Sequence, residues 1–310
     1  MFTIFFTFSA FANWATTMVH GEPTMVHAEN AVAHQLVTVA TIDTGIDPSQ
    51  LDLKGKIWHD PESPNIYGWD FVNNRPNPYD RHGHGTHIAG IIGAFCDQSH
   101  DVCGMTQDVS LMAIKYYDPS ASGANNLRRS VQALHYAIDH GARVINYSGG
   151  GPSASEEEEA ALRRAENRGI LVVTAAGNEH SNTDVLANAY YPSAYHLRNI
   201  ISVAAVNASG SLLSASNYGV RSVDVAAPGD HITSTLPDNS FGVLTGTSQA
   251  TAFVTGLAAL MLSKNPSLQP EEIKRLILEY VTRVPALTNV IASGGIINVA
   301  ETLRHVRVTD

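Results

Sequence analysis

The chain predicts an α/β fold in three layers, with a mostly parallel central sheet and helices on both faces. Two observations carry that expectation. From residue 36 onward, short apolar runs alternate with stretches of helical period. The runs are apolar throughout, not at every second residue, which marks strands buried on both faces. A third observation bears on function. The residues with chemistry fall just after these runs, at the carboxyl ends where open parallel sheets place their sites.

The elements follow in order. LVTVATI (36–42) reads as a buried strand, closed by Asp43. Thr86 to Phe95 reads as a small-residue helix, and VSLMAIKYY (109–117) as the next strand. Leu127 to His140 places Val131, Leu134 and Ile138 at helical spacing, and Gly141 stops it. ARVINYS (142–148) is a strand ending at Ser148, and Glu156 to Asn167 a helix with a polar face. GILVVTAA (169–176) and NIISVAAV (199–206) are strands, and Asn178 follows the first of them. Beyond Pro270 the pattern gives two helices and a Gly294-Gly295 turn. No Pro/Gly/Ser linker divides residues 35–310, so one domain is expected there.

Composition narrows the function. With 44% hydrophobic and 15% charged residues, the 310-residue chain fits a globule with a sizeable core. A formal charge of -10 argues against a nucleic-acid surface, which needs clustered Lys and Arg to displace counterions. Residues 2–12 (FTIFFTFSAFA) are apolar and end in Ala10-Phe11-Ala12, which resembles the core and cleavage site of a secretory signal peptide. They are too short to span a bilayer. The expectation is a secreted protein, with 1–12 as a signal peptide or its truncated remnant. Residues 13–34 then form an unstructured lead-in or short pro-segment. In an exported chain, the pair Cys96 and Cys103 suggests one small disulfide loop, with two free thiols as the alternative. No heptad seam stands out, so a monomer without a membrane span is expected.

Three segments carry candidate chemistry, and each has a plainer reading when taken alone. In TIDTGID (41–47), Asp43 can orient an imidazole, or simply cap a turn. Asp-Thr-Gly is also an aspartic-protease triplet, but that chemistry needs two, and one is present. In HGHGTHIAG (82–90), His84 sits between glycines at a helix start. His82, His84 and His87 also raise zinc, without a further ligand at defined spacing. In LTGTSQATAFVTGLAALM (244–261), Ser248 can be an N-cap or a nucleophile at a positive helix end.

Together and in this order, the segments resemble those of the subtilases: VATIDTGID, HGHGTHIAG and GTSQAT. The connecting VINYSGGG, AAGNE, VAAPG and STLP resemble the family too, so the similarity runs from about residue 36 to about 303. The resemblance implies a subtilisin-like catalytic domain and a serine endopeptidase acting on polypeptides, with no catalytic cofactor. It implies a triad of Asp43, His84 and Ser248, with Asn178 as oxyanion donor. Ser148, Gly149 and Gly150, with the stretch from Gly123 to Asn125, would form edges for an extended substrate. Ala175, Ala176 and Gly177 would wall the pocket for the residue before the cut. Small, uncharged walls lead to the expectation of a roomy apolar pocket and broad specificity. The family's usual Ser-Leu-Gly-Gly is Ser148-Gly149-Gly150-Gly151 here, and its Met-Ala-x-Pro-His after the serine is absent. A structural calcium ion is implied at Asp52 and Asp97, whose hard oxygens suit it. Tyr191-Pro192 resembles a turn below the pocket that admits a cis bond.

Overall fold

The computed structural model describes residues 14–20, 36–96 and 102–308. In chain order they form helix α1 (Trp14–His20), strands β1 (Val37–Asp43), β2 (Gly68–Asp70) and β3 (Arg75–Pro76), and α2 (His84–Gly93). Next come β4 (Val109–Lys115), α3 (Gly123–Asp139), β5 (Val144–Tyr147), α4 (Glu156–Asn167), β6 (Leu171–Ala175), β7 (Ile200–Val206) and β8 (Val225–Pro228). A hairpin of β9 (Ile232–Leu236) and β10 (Ser240–Leu244) leads into α5 (Thr247–Lys264). The chain closes with α6 (Pro270–Glu279), β11 (Thr282–Arg283), β12 (Gly295–Ile296) and α7 (Val299–Arg304).

One sheet runs β11-β12-β8-β7-β6-β5-β1-β4-β2-β3. Only its outermost pairs, β11 with β12 and β2 with β3, are antiparallel. The strands are apolar throughout because both faces are buried. Val37 and Val39 of β1 join the core under α2 and α5, while Ala40 and Ile42 join the core under α3 and α4. The same division holds for Leu111 and Met112 of β4 and for Val173 and Val172 of β6. The chain crosses from β4 through α3 to β5 on the far side of β1. Asp43 therefore ends a strand at a point where strand order reverses, the usual place for a cleft.

Helix α5 explains its own composition. It is apolar on all sides because it is buried nearly end to end. Its small residues permit close packing: a Cβ on Gly256 would lie 2.3 Å from Met105 Cβ.

Two expectations change. The lead-in is not wholly without structure: Trp14–His20 is a helix, with Ala15 and Val19 buried in the main core. Gly123–Asn125 is the first turn of α3, capped by Ser122 Oγ accepting from Asn125 N at 3.3 Å, and not an extended edge. The signal-peptide reading of residues 1–12 lies outside the described residues. No helix among the described residues is long and apolar enough to cross a membrane.

Candidate active site

Asp43 and His84 meet directly. His84 Nδ1 lies 2.8 and 2.9 Å from the two carboxylate oxygens of Asp43. Facing a carboxylate, Nδ1 carries the proton and donates, which leaves Nε2 as the basic nitrogen. Burial disfavours the imidazolium, but the Asp43 charge and hydrogen bond, with Asp80 behind, outweigh it and hold His84 above its ordinary pKa. Two glycines let the segments touch. A Cβ on Gly85 would lie 2.1 Å from the Gly45 carbonyl oxygen. Gly45 itself has φ +105, where a side chain is strained.

A third carboxylate holds this pair in place. Asp80 is fully buried. One of its oxygens accepts from Thr44 Oγ1 (3.0 Å) and from the N–H groups of His82 and Gly83 (2.9 Å each). The other accepts from Thr86 N (2.9 Å) and Thr86 Oγ1 (2.8 Å). Asp80 thus ties the loop after β1 to the start of α2. The sequence reading missed it, although an Asp just before a helix start is a capping signal.

Ser248 is the second residue of α5, after Gly246 at φ +156. Its N–H belongs to the first turn and has no intrahelical acceptor. Its hydroxyl donates to the Ser148 carbonyl at 3.1 Å, and no hydrogen bond joins it to His84 among the described residues. Ser148 is held in turn: Asn146 Nδ2 donates to its hydroxyl at 2.8 Å, and Thr255 Oγ1 of α5 donates to Asn146 Oδ1 at 2.8 Å. Asn178 is aimed by its oxygen, which accepts from Thr247 N (3.0 Å) and Thr247 Oγ1 (3.2 Å). Its Nδ2 makes no hydrogen bond among the described residues and remains an available donor beside the start of α5.

Ser148–Gly150 and Ala175–Gly177 follow β5 and end β6, as read. The Tyr190 ring lies close to Gly150, where a Cβ would stand 2.4 Å from its Cε1. At Gly149, a Cβ would lie 1.8 Å from the Tyr116 hydroxyl oxygen, so Tyr116 occupies the place of the missing leucine. The Tyr191–Pro192 bond is cis.

Cys96 and Cys103 form a disulfide with Cα atoms 4.5 Å apart. Asp52 is buried beside the start of this loop, its carbonyl accepting from Phe95 N at 2.7 Å. Among the described residues, no cluster of three or more His, Cys, Asp or Glu side chains that could hold a metal ion surrounds it. Asp97 lies outside the described residues.

His87, one turn after His84, is structural. Its Nε2–H donates to the carbonyls of Ile232 (3.0 Å) and Gly242 (3.2 Å), while Nδ1 is buried without a partner among the described residues. Burial, above all, pushes its pKa down to about 4. A histidine kept neutral in the fold stabilises it above pH 6.5, and that contribution is lost as pH falls towards 4. The full loss is about 3 kcal/mol. Urea unfolding from pH 7 to 4 should show this slope, and His87→Gln should flatten it. An unchanged slope in the variant would contradict the assignment.

A parallel sheet wrapped by helices, with Asp43, Ser148 and Asn178 at or just beyond the carboxyl ends of β1, β5 and β6, defines a subtilisin-like α/β protein. The chain belongs to the subtilase family of serine endopeptidases, whose family model matches residues 34–294. It is 40% identical to the thermophilic serine proteinase of Bacillus sp. (strain AK1), over 73% of this chain and 52% of that one. It is 38% identical to thermitase of Thermoactinomyces vulgaris, over 74% of this chain and 76% of that one. The chain thus spans about half the length of the Bacillus relative. A cold-adapted subtilisin-like serine proteinase of known crystal structure superposes with a TM-score of 0.72 at 27% identity, covering 93% of this chain and 96% of that one.

Proposed function

We propose that this chain is a secreted serine endopeptidase that cuts polypeptides through an acyl-enzyme, with Asp43, His84 and Ser248 as its triad. The observation that carries the reading is the Asp43–His84 contact, together with a serine in the first turn of α5. Export is supported by the signal-like residues 1–12 and the disulfide.

The mechanism follows from the groups present. An extended substrate lies along Ser148–Gly150, and a peptide N–H donating to the Ser148 carbonyl displaces the Ser248 hydroxyl from it. Freed, Ser248 Oγ turns to His84 Nε2, which takes its proton as Oγ attacks the scissile carbonyl. Asn178 Nδ2 and the Ser248 N–H stabilise the resulting oxyanion. The protonated Nε2 then donates to the leaving amine, and water repeats the sequence on the ester. Asp43 holds the tautomer throughout and stabilises the imidazolium.

The pH dependence tests this. His84 must be neutral to act as base, and its pKa is raised. The rate constant kcat/KM should therefore fall with acid through a midpoint above 6.5, and a flat profile there would remove His84 as the base. Asp52 and Asp97 are proposed as ligands of a structural calcium ion, which would pin the Cys96–Cys103 loop to the turn at Asp52. Chelation should lower the melting temperature, and an unchanged melt would remove the ion from the account.

A further inference from the structure

We infer that Tyr190 sets a size limit on the substrate residue before the cut (P1), restricting this peptidase to glycine, alanine and serine there. The inference rests on the endopeptidase reading and names the substrate class of the same cleft.

Two backbone segments flank the P1 pocket, one through Gly150 and one through Gly177. A methyl group on Gly150 would lie 2.4 Å from Tyr190 Cε1, and one on Gly177 would lie 3.0 Å from Tyr190 Cδ2. These two atoms are at opposite corners of the ring. The ring therefore reaches across the gap and touches both walls, and at that depth no second side chain fits beside it. Gly150 is needed for this arrangement, because a Cβ there would collide with the ring; at Gly177, where φ is +100, a Cβ would first meet Asn217 Nδ2 (2.4 Å) and Glu179 Oε2 (2.5 Å).

The ring is held there by its neighbours. Tyr191, the next residue, pairs with Gly151 in both directions: its N–H donates to the Gly151 carbonyl at 2.8 Å, and Gly151 N–H donates back at 3.0 Å. The Tyr190 carbonyl accepts from Ala194 N at 2.9 Å. The segment that carries the ring is thus bonded to the pocket wall itself. Widening the pocket would require breaking these bonds or changing the side chain.

Tyr190 also lines, with Gly150, Gly151, Glu179, Ser181 and Asn217, a cavity of about 250 Å³. Removing the ring would enlarge this space along the Gly150 wall, so truncation should favour bulky P1 residues. Pockets discriminate steeply on size, by about tenfold or more for even one methylene group.

The test uses the full chain, Tyr190→Ala and Tyr190→Phe. Each is assayed on two peptide substrates differing only in P1 Ala or Phe, and on a mixed peptide library read by mass spectrometry. The parent should prefer Ala by about tenfold or more, and Tyr190→Ala should raise cleavage after Phe by a similar factor while still cutting after Ala. Tyr190→Phe should keep the parent's profile, since the limit lies in the ring and not the hydroxyl. A parent that cuts after Phe as fast as after Ala, or an unchanged ratio in Tyr190→Ala, would overturn the size limit. Fluorophosphonate labelling of the same samples separates the two levels. A parent that takes no label and cuts neither substrate would overturn the endopeptidase reading, and the size limit with it.

Discussion

Ser248→Ala should lower kcat on a peptide substrate by about a millionfold, the magnitude associated with losing the nucleophile of subtilisin. The fold should be unaffected, because the hydroxyl makes one hydrogen bond, to the Ser148 carbonyl, which other donors can replace. His84→Ala should cost about as much, and the double variant should lose little more than either alone. Non-additivity is expected because the two residues act in one proton transfer, and with either missing the other has nothing to do. Steady-state rates of the two single variants and the double variant check this. Losses that multiply would mean that Ser248 and His84 act separately.

Asn178→Ala should lower kcat by about a hundredfold to a thousandfold with little change in KM, the range typical of one oxyanion donor in subtilisin. The reasoning is geometric. Thr247 holds the Asn178 oxygen through two hydrogen bonds, so Nδ2 is fixed before any substrate arrives. A donor aimed at a charge present only in the transition state affects kcat and not ground-state binding. Asn178→Asp separates the roles: it keeps an oxygen for Thr247 but replaces the donor by a negative oxygen, so it should be at least as damaging as alanine. Kinetics in which KM rises while kcat holds would make Asn178 a substrate-positioning residue instead.

Much of the fold was legible because it rests on local patterns. Buried parallel strands need apolar residues on both faces, and β1, β4, β6 and β7 supplied them as uninterrupted runs. Asp43, Ser148 and Asn178 were legible as residues at strand ends, and Ser248 as a polar residue opening an apolar helix. The hairpin β9–β10 was not, since half-exposed β10 (SFGVL) has no clear alternation. Helix α1 was not legible either, because its burial of Ala15 and Val19 depends on packing against β8 and α7, distant in sequence.

Side-chain placement was harder still. Asp80 gathers five hydrogen bonds from the segments on either side of it, and no spacing rule announces that. The pocket was read from its walls alone. Gly150 and Gly177 suggested room, whereas a Cβ on Gly150 would meet the Tyr190 ring, and one on Gly177, at φ +100, would meet Asn217 and Glu179. A glycine marks where something approaches closely; the sequence does not say whether it is a substrate or the protein's own ring.

The central claim is that Ser248 is an activated nucleophile. Intact mass after exposure to a fluorophosphonate, on the parent and on Ser248→Ala, tests it most directly. The account predicts one covalent adduct on the parent and none on the variant. A folded parent that takes no adduct, or a variant labelled as fully as the parent, would contradict it.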